Sequence, residues 1–106
     1  MIVTTTESVP GRRITRTLGL VRGNTIRARH IGRDLQAVIR NMAGGEVVEY
    51  TKLMGEAREQ AIDRAVAEAE RLGGNAIVGL RITTAEIMTG AAEILVYGTA
   101  VVLDPE

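Results

Sequence analysis

Residues 91–103 (AAEILVYGTAVVL) show no polar side when counted by twos. Ala92, Ile94, Val96, Gly98, Ala100 and Val102 line one face, and Glu93, Leu95, Tyr97, Thr99, Val101 and Leu103 line the other. A strand with one wet face alternates apolar with polar side chains, whereas one covered on both faces reads as a nearly continuous apolar run. The segment is therefore expected to be a strand buried on both sides. A chain of 106 residues has few elements with which to bury it. Part of the cover is expected to come from further copies of the same chain, in an obligate homo-oligomer.

The remaining pattern divides into shorter pieces. Residues 2–6 (IVTTT) are β-branched and predict a short strand, stopped by a turn at Val9-Pro10-Gly11. Residues 13–22 (RITRTLGLVR) predict a second strand, in which Gly19 marks a bulge or a close approach of backbones. Gly23-Asn24 then tolerates positive φ, so a turn is expected there. A first helix is expected over 33–43, with Gly32 as N-cap, Asp34 in the first turn and Leu35, Val38, Ile39 and Met42 on one stripe. Gly44-Gly45 is its expected end.

A longer helix is expected over 46–72, roughly 40 Å long, either crossing the whole molecule or bending near Gly55. Its stripe runs Tyr50, Leu53, Met54, Ala57, Ala61, Ala65, Ala69 and Leu72, and Gly73-Gly74 closes it. Residues 75–84 (NAIVGLRITT) predict a strand with Ala76, Val78, Leu80 and Ile82 on its apolar face and Ile77, Gly79, Arg81 and Thr83 on the other. Met88, Thr89 and Gly90 are expected to form the loop into the last strand. The order predicts a single α+β domain over 1–106: a mostly antiparallel sheet with two helices on one face.

Composition sharpens the picture in two ways. Phe, Trp and Cys are absent and Tyr occurs twice, so the core is aliphatic, and neither disulfide nor thiolate chemistry is open to the chain. No window holds 18 uninterrupted apolar residues and the first residues have no basic-then-apolar leader, which makes a cytoplasmic protein without a membrane partner the expectation. The formal net charge is zero, but residues 11–40 carry eight arginines against Asp34, a local +7, while 41–106 sum to −6. Such asymmetry marks an anion site or complementary surfaces on neighbouring subunits.

Candidate chemistry is sparse. Arg22, Arg27 and Arg29 could hold a phosphate or carboxylate by bidentate bonds, and Tyr97 and Thr99, flanking Gly98, are suited to line a small-molecule pocket. The glycines match no nucleotide-binding spacing, and no aromatic lies near the arginines to stack a base, which argues against nucleic acid. His30, with Asp34 four residues on, is the one candidate general base, without a signposted nucleophile. Metal binding would need copies of His30, or of Glu86 and Glu93, gathered around a symmetry axis; among the methionines, Met42 and Met54 lie on apolar stripes and Met88 is expected in a loop. The leading reading is a non-enzymatic oligomer that binds a small ligand or anion at subunit interfaces near Arg22, Arg27 and Arg29. A metal-binding protein and an enzyme using the His30/Asp34 pair are the alternatives. The sequence leaves any cofactor unknown.

Four blocks point to a family. GLVRGNTIRARHIGRDL (19–35), NMAGGEVVEYTKLMGEAREQA (41–61), GGNAIVGLRI (73–82) and YGTAVVL (97–103) are similar to the YbjQ-like family, bacterial and archaeal cytoplasmic proteins of unknown activity often labelled heavy-metal-binding. The resemblance implies a β-α-β-β-type subunit in a ring-shaped homo-pentamer, single or paired face to face. A soft heavy metal wants thiolate or clustered imidazole, and this chain has no Cys and one His, so no metal ligand is carried over.

Overall fold

The doubly apolar 91–103 run forms the spine of the sheet. A computed structural model describes residues 1–28, 44–88 and 91–105. Its strands are β1 (Ile2–Val3), β2 (Ile14–Ala28), β3 (Ala76–Met88) and β4 (Ala91–Leu103), with a 28-residue helix, α1 (Gly44–Arg71), between β2 and β3. The sheet order is β1-β3-β4-β2. β4 is antiparallel to both neighbours and β1 is parallel to β3, so the sheet is mixed. The fold is α+β, with one described helix rather than two. The expected first helix over 33–43 lies outside the described residues, and Gly44 opens α1 instead of closing an earlier helix. Among the described residues, no helix is long and apolar enough to cross a membrane.

Helix α1 runs through Gly55 without interruption, about 42 Å at 1.5 Å per residue. Ala57, Ala61, Ala65 and Ala69 recur every four residues along one stripe and are fully buried. Their small side chains let the helix sit close on the sheet, where Val21, Ile77, Leu80, Ile94, Val96 and Ala100 complete the core. The closest approach is at Gly23. A Cβ there would run into the Ala61 carbonyl and sit 2.7 Å from the Ala65 amide nitrogen. Gly23-Asn24 is therefore not a turn: β2 continues through it to Ala28, and the glycine is needed for its missing side chain. Buried Thr25 donates from Oγ1 to the Ala57 carbonyl (3.1 Å), and Arg64 Nη1 donates to the Asn24 carbonyl (2.6 Å).

The helix ends as expected. Gly73 takes φ +89°, its amide donating to the Glu70 carbonyl and that of Gly74 to the Ala69 carbonyl, the paired bonds of a left-handed C-cap. Asn75 then joins the sheet through its side chain, accepting from the Leu103 amide (2.7 Å) and donating to the Leu103 carbonyl (2.9 Å).

Two bulges set which side chains face the helix. In β2 the register with β4 shifts between Thr17 and Gly19, as Gly19 foretells. In β3 it shifts between Val78 and Arg81, at Gly79 with φ +64°. That second shift overturns the expected faces of β3. Ala76 and Val78 pack away from the helix with Val101 and Leu103, whereas Ile77 and Leu80 pack beneath it. An extra residue in a strand reverses the in–out alternation of everything beyond it.

The N-terminal segment covers the end of the helix-free face. Ile2, Val9 and Ile14 pack on Ala76, Val78, Val101 and Leu103. The segment is held by Thr4 N–H to the Ile77 carbonyl (2.9 Å), Leu80 N–H to the Thr4 carbonyl (3.0 Å) and Gly79 N–H to the Thr6 carbonyl (2.8 Å). Asp104 anchors its far end: its carboxylate accepts from the Arg13 amide (2.8 Å) and its carbonyl from Arg12 Nε (2.6 Å). The chain's own elements thus bury one face of β4 and the C-terminal end of the other. Leu95, Tyr97 and Thr99 remain half-buried on the helix-free face.

Candidate functional site

The helix-free face gathers three of the five candidate ligand-binding residues, Arg22, Tyr97 and Thr99. Directly paired residues of antiparallel strands share a face. Tyr97 on β4 pairs with Arg22 on β2 and with Arg81 on β3, so a tyrosine lies between two arginines in one row across the sheet. The next row holds Thr99 between Leu20 and Val78. Arg22 and Leu20 are exposed.

Beside these rows, the N-terminal segment and the sheet enclose an open cleft of about 530 Å³. Arg81, Tyr97, Thr99 and Thr17 contribute its sheet-borne polar groups, and Glu7 comes from the N-terminal segment. Ile14, Val78 and Val101 supply apolar surface. Arg81 reaches this side because of the bulge at Gly79, and its Nη1 donates to the carbonyls of Thr5 (3.0 Å) and Leu80 (2.8 Å). The guanidinium is thereby tied to the segment that forms the cleft. Uniform alternation through residues 75–84 groups Arg81 with Ile77 and away from Val78, and it gives no sign that Thr17 and Glu7 converge with Arg81, since these contacts span most of the chain.

The three arginines expected to act together are not brought together. Arg27 is five positions from Arg22 and so points to the opposite face of β2, where its Nη2 donates to Gln60 Oε1 on α1 (2.6 Å). That side opens into a groove of about 840 Å³ shared by Lys52, Arg58, Glu56, Glu59 and Asp63. Cations and carboxylates alternate there, which leaves no positive focus for an anion. Arg29 lies outside the described residues, as do His30, Asp34 and Met42.

The other candidates also scatter. Glu93 accepts from Asn24 Nδ2 (3.2 Å) on the helix-free side, whereas Glu86 pairs with Ala92, on the helix side. Met88 is the last residue of β3 rather than part of the loop, and Met54 packs against the core. Among the described residues, no three His, Cys, Asp or Glu side chains group to hold a metal ion. With no Cys in the chain, this donor set does not fit a soft heavy metal.

Comparison with known proteins places the chain. A family model described as "Putative heavy-metal-binding" (YbjQ) matches residues 1–104. A UPF0145 protein of Thermus thermophilus is 53% identical over 105 residues, covering 99% of this chain and 92% of its own. One from Methanosarcina acetivorans is 52% identical over 101 residues, 95% of each chain, and one from Clostridioides difficile is 50% identical over 106 residues, covering 100% and 95%. A crystal structure of a protein of unknown function from the DUF74 family of Pediococcus pentosaceus superposes with a TM-score of 0.65 over 98% of both chains. At 18% identity it establishes the shared fold.

Proposed function

We propose that this chain, which belongs to the YbjQ family of UPF0145 proteins, is a non-enzymatic subunit of a ring-shaped homo-oligomer, a pentamer or a pair of pentamers, that binds a small anionic ligand at the helix-free sheet face. The observation that carries the assembly is the distal half of β3. Residues 81–88 are exposed, including Ile82, Ile87 and Met88 at 43%, 50% and 66%. No described residue pairs with the outer edge of this segment beyond Leu80. Between Arg81 and Glu86, residues 82–85 (ITTA) carry neither charge nor Pro, the features that keep an edge strand from pairing. The opposite edge of the sheet, β2, is long as well and exposes Leu20 and Ile26.

Two different edges, unpaired among the described residues, can pair head to tail, and a head-to-tail contact closes into a ring when its rotation allows. The protomer's shape supports this. Its radius of gyration is 17.1 Å, with extents of 52 × 22 × 16 Å, against about 13 Å for a compact domain of this length. Such an extended unit leaves more of its surface exposed than a compact one does, and a neighbour alongside would cover part of it. Arg22 stands on the β2 edge strand and Tyr97 and Thr99 on β4 beside it, where neighbours in a ring would border an anion site. We place the protein in the cytoplasm.

Native mass spectrometry tests the assembly. Wild-type protein is expected at five times 11.4 kDa, or ten times. Ile82→Lys with Ile87→Lys is expected at 11.4 kDa, because ammonium groups at both sites oppose strand pairing. A wild-type protein that stays at protomer mass at micromolar concentration overturns the ring. The anion site is tested by titrating inorganic phosphate and carboxylates in heteronuclear NMR, where shifts are expected at Arg22, Tyr97 and Thr99.

A further inference from the structure

We infer that the cleft between the N-terminal segment and the sheet is a receptor for a small organic monocarboxylate with an apolar body, held by Arg81. This deepens the anion reading given above and rests on it. The guanidinium has five N–H donors in a fixed fork. Both Nη1 donors are engaged by the Thr5 and Leu80 carbonyls, which fixes the plane of the group. Nε–H and the neighbouring Nη2–H form the side of the fork that matches a carboxylate by two parallel bonds, and they have no protein acceptor among the described residues. Arg81 is thus immobilised by one edge and presents the other.

Neighbouring groups set the ligand class. The hydroxyls of Tyr97, Thr99 and Thr17 share the cleft and can donate to the same carboxylate. Half-buried Ile14 offers apolar surface to the remainder of the ligand, over a floor of Val78 and Val101 that are themselves 6% and 1% exposed, a contact inorganic anions cannot use. Glu7 decides the charge. It lines the same cleft but forms no ion pair with Arg81, the ion pairs among the described residues being Arg13–Asp104 and Arg71–Glu68. An uncommitted carboxylate facing a bound anion repels a second negative charge, which disfavours dicarboxylates and phosphate relative to a monoanion. Arg22, at the far end of the same row as Arg81 and Tyr97, adds positive potential without lining the cleft.

Titration of the full chain by heteronuclear NMR with isovalerate, isovaleramide, succinate and inorganic phosphate tests this. Isovalerate is expected to shift Arg81, Tyr97, Thr99 and Val78, and the neutral, near-isosteric amide to bind about tenfold more weakly or worse. Arg81→Lys keeps the charge but loses the fork, and a loss of about tenfold is expected, with an unchanged melting temperature showing that the segment stays docked. Glu7→Gln, at an exposed position, is expected to improve succinate binding several-fold and leave isovalerate within twofold. Equal affinities for isovalerate and isovaleramide, or an unaffected Arg81→Lys variant, overturn the proposal. Phosphate shifting Arg22 and Tyr97 while isovalerate does nothing overturns it too, but leaves the broader anion reading standing. Silence from all three anions at tens of millimolar removes both.

Discussion

Gly23→Ala adds one methyl group where strand and helix meet, and the structure says how much room it has. The added Cβ would overlap the Ala61 carbonyl oxygen, sit 2.7 Å from the Ala65 amide nitrogen and 2.8 Å from Arg64 Cβ. Two of these three obstacles are backbone atoms inside a continuous helix, so no rotamer change relieves them. The helix must lift from β2, which stretches the bonds from Thr25 to the Ala57 carbonyl and from Arg64 to the Asn24 carbonyl. It also separates the buried alanines from Val21. Overpacking a dense core costs about 1–3 kcal/mol and more when backbone must move. Alanine returns about 0.4–1 kcal/mol by restricting the unfolded chain. With backbone in the way the cost lies at the upper end of that range, about 3 kcal/mol, so the net expectation is a loss of about 2 kcal/mol. For a domain of this size each kcal/mol moves the midpoint by about 4–8 °C, so thermal unfolding by circular dichroism should fall by about 10 °C or more at fixed protomer concentration. Gly55→Ala is the control: it lies within the same helix with only Arg58 Nη2 near, at 3.7 Å. There, alanine should stabilise by up to about 1 kcal/mol. If Gly23→Ala melts within 2 °C of wild type, the reasoning about close strand–helix contact is refuted.

Gly73→Ala should destabilise by about 1 kcal/mol, read from urea unfolding, because φ +89° is strained for any residue with a Cβ while the space around it is open. Asn75→Ala removes both side-chain bonds to Leu103 and should cost about 1–2 kcal/mol, with faster amide exchange at Leu103 as its specific mark. Thr25→Val replaces a 2% exposed hydroxyl with a methyl of similar size. The Ala57 carbonyl keeps its place in the helix ladder, so a loss of about 1 kcal/mol or less is expected by the same unfolding assay. Elemental analysis of untagged protein should find less than about 0.1 equivalent of heavy metal per protomer, as the donor chemistry dictates.

Several features of this protein are local and can be read along the chain. The residues of β4 announce themselves, at the same bounds, because a nearly continuous apolar run, broken by Glu93, Tyr97 and Thr99, marks a central strand, although the chain itself buries only one of its faces fully. The long helix and its end follow from alanines at four-residue spacing and from Gly73-Gly74. The bulge at Gly19 follows from a glycine set in an extended pattern. Tyr97 and Thr99 are visible as neighbours on one strand face for the same reason.

What the chain pattern leaves open is decided by distant contacts. Gly23-Asn24 has the chemistry of a turn, and the difference between a turn and a strand pressed against a helix lies in Ala61 and Ala65, some forty residues away. Gly79 looks like one more residue of an alternating strand, yet its positive φ reverses the faces of β3 and separates Val78 from Leu80. Arg22 and Arg27 look like one cluster in sequence and stand on opposite faces, whereas Arg81, sixteen residues from Tyr97, pairs with it directly. Spacing along the chain thus determined the elements, because hydrophobic periodicity and glycine conformation are properties of neighbouring residues. The tertiary structure alone decided which side chains share a face and a cleft, because strand register and close packing are set between segments far apart in the chain.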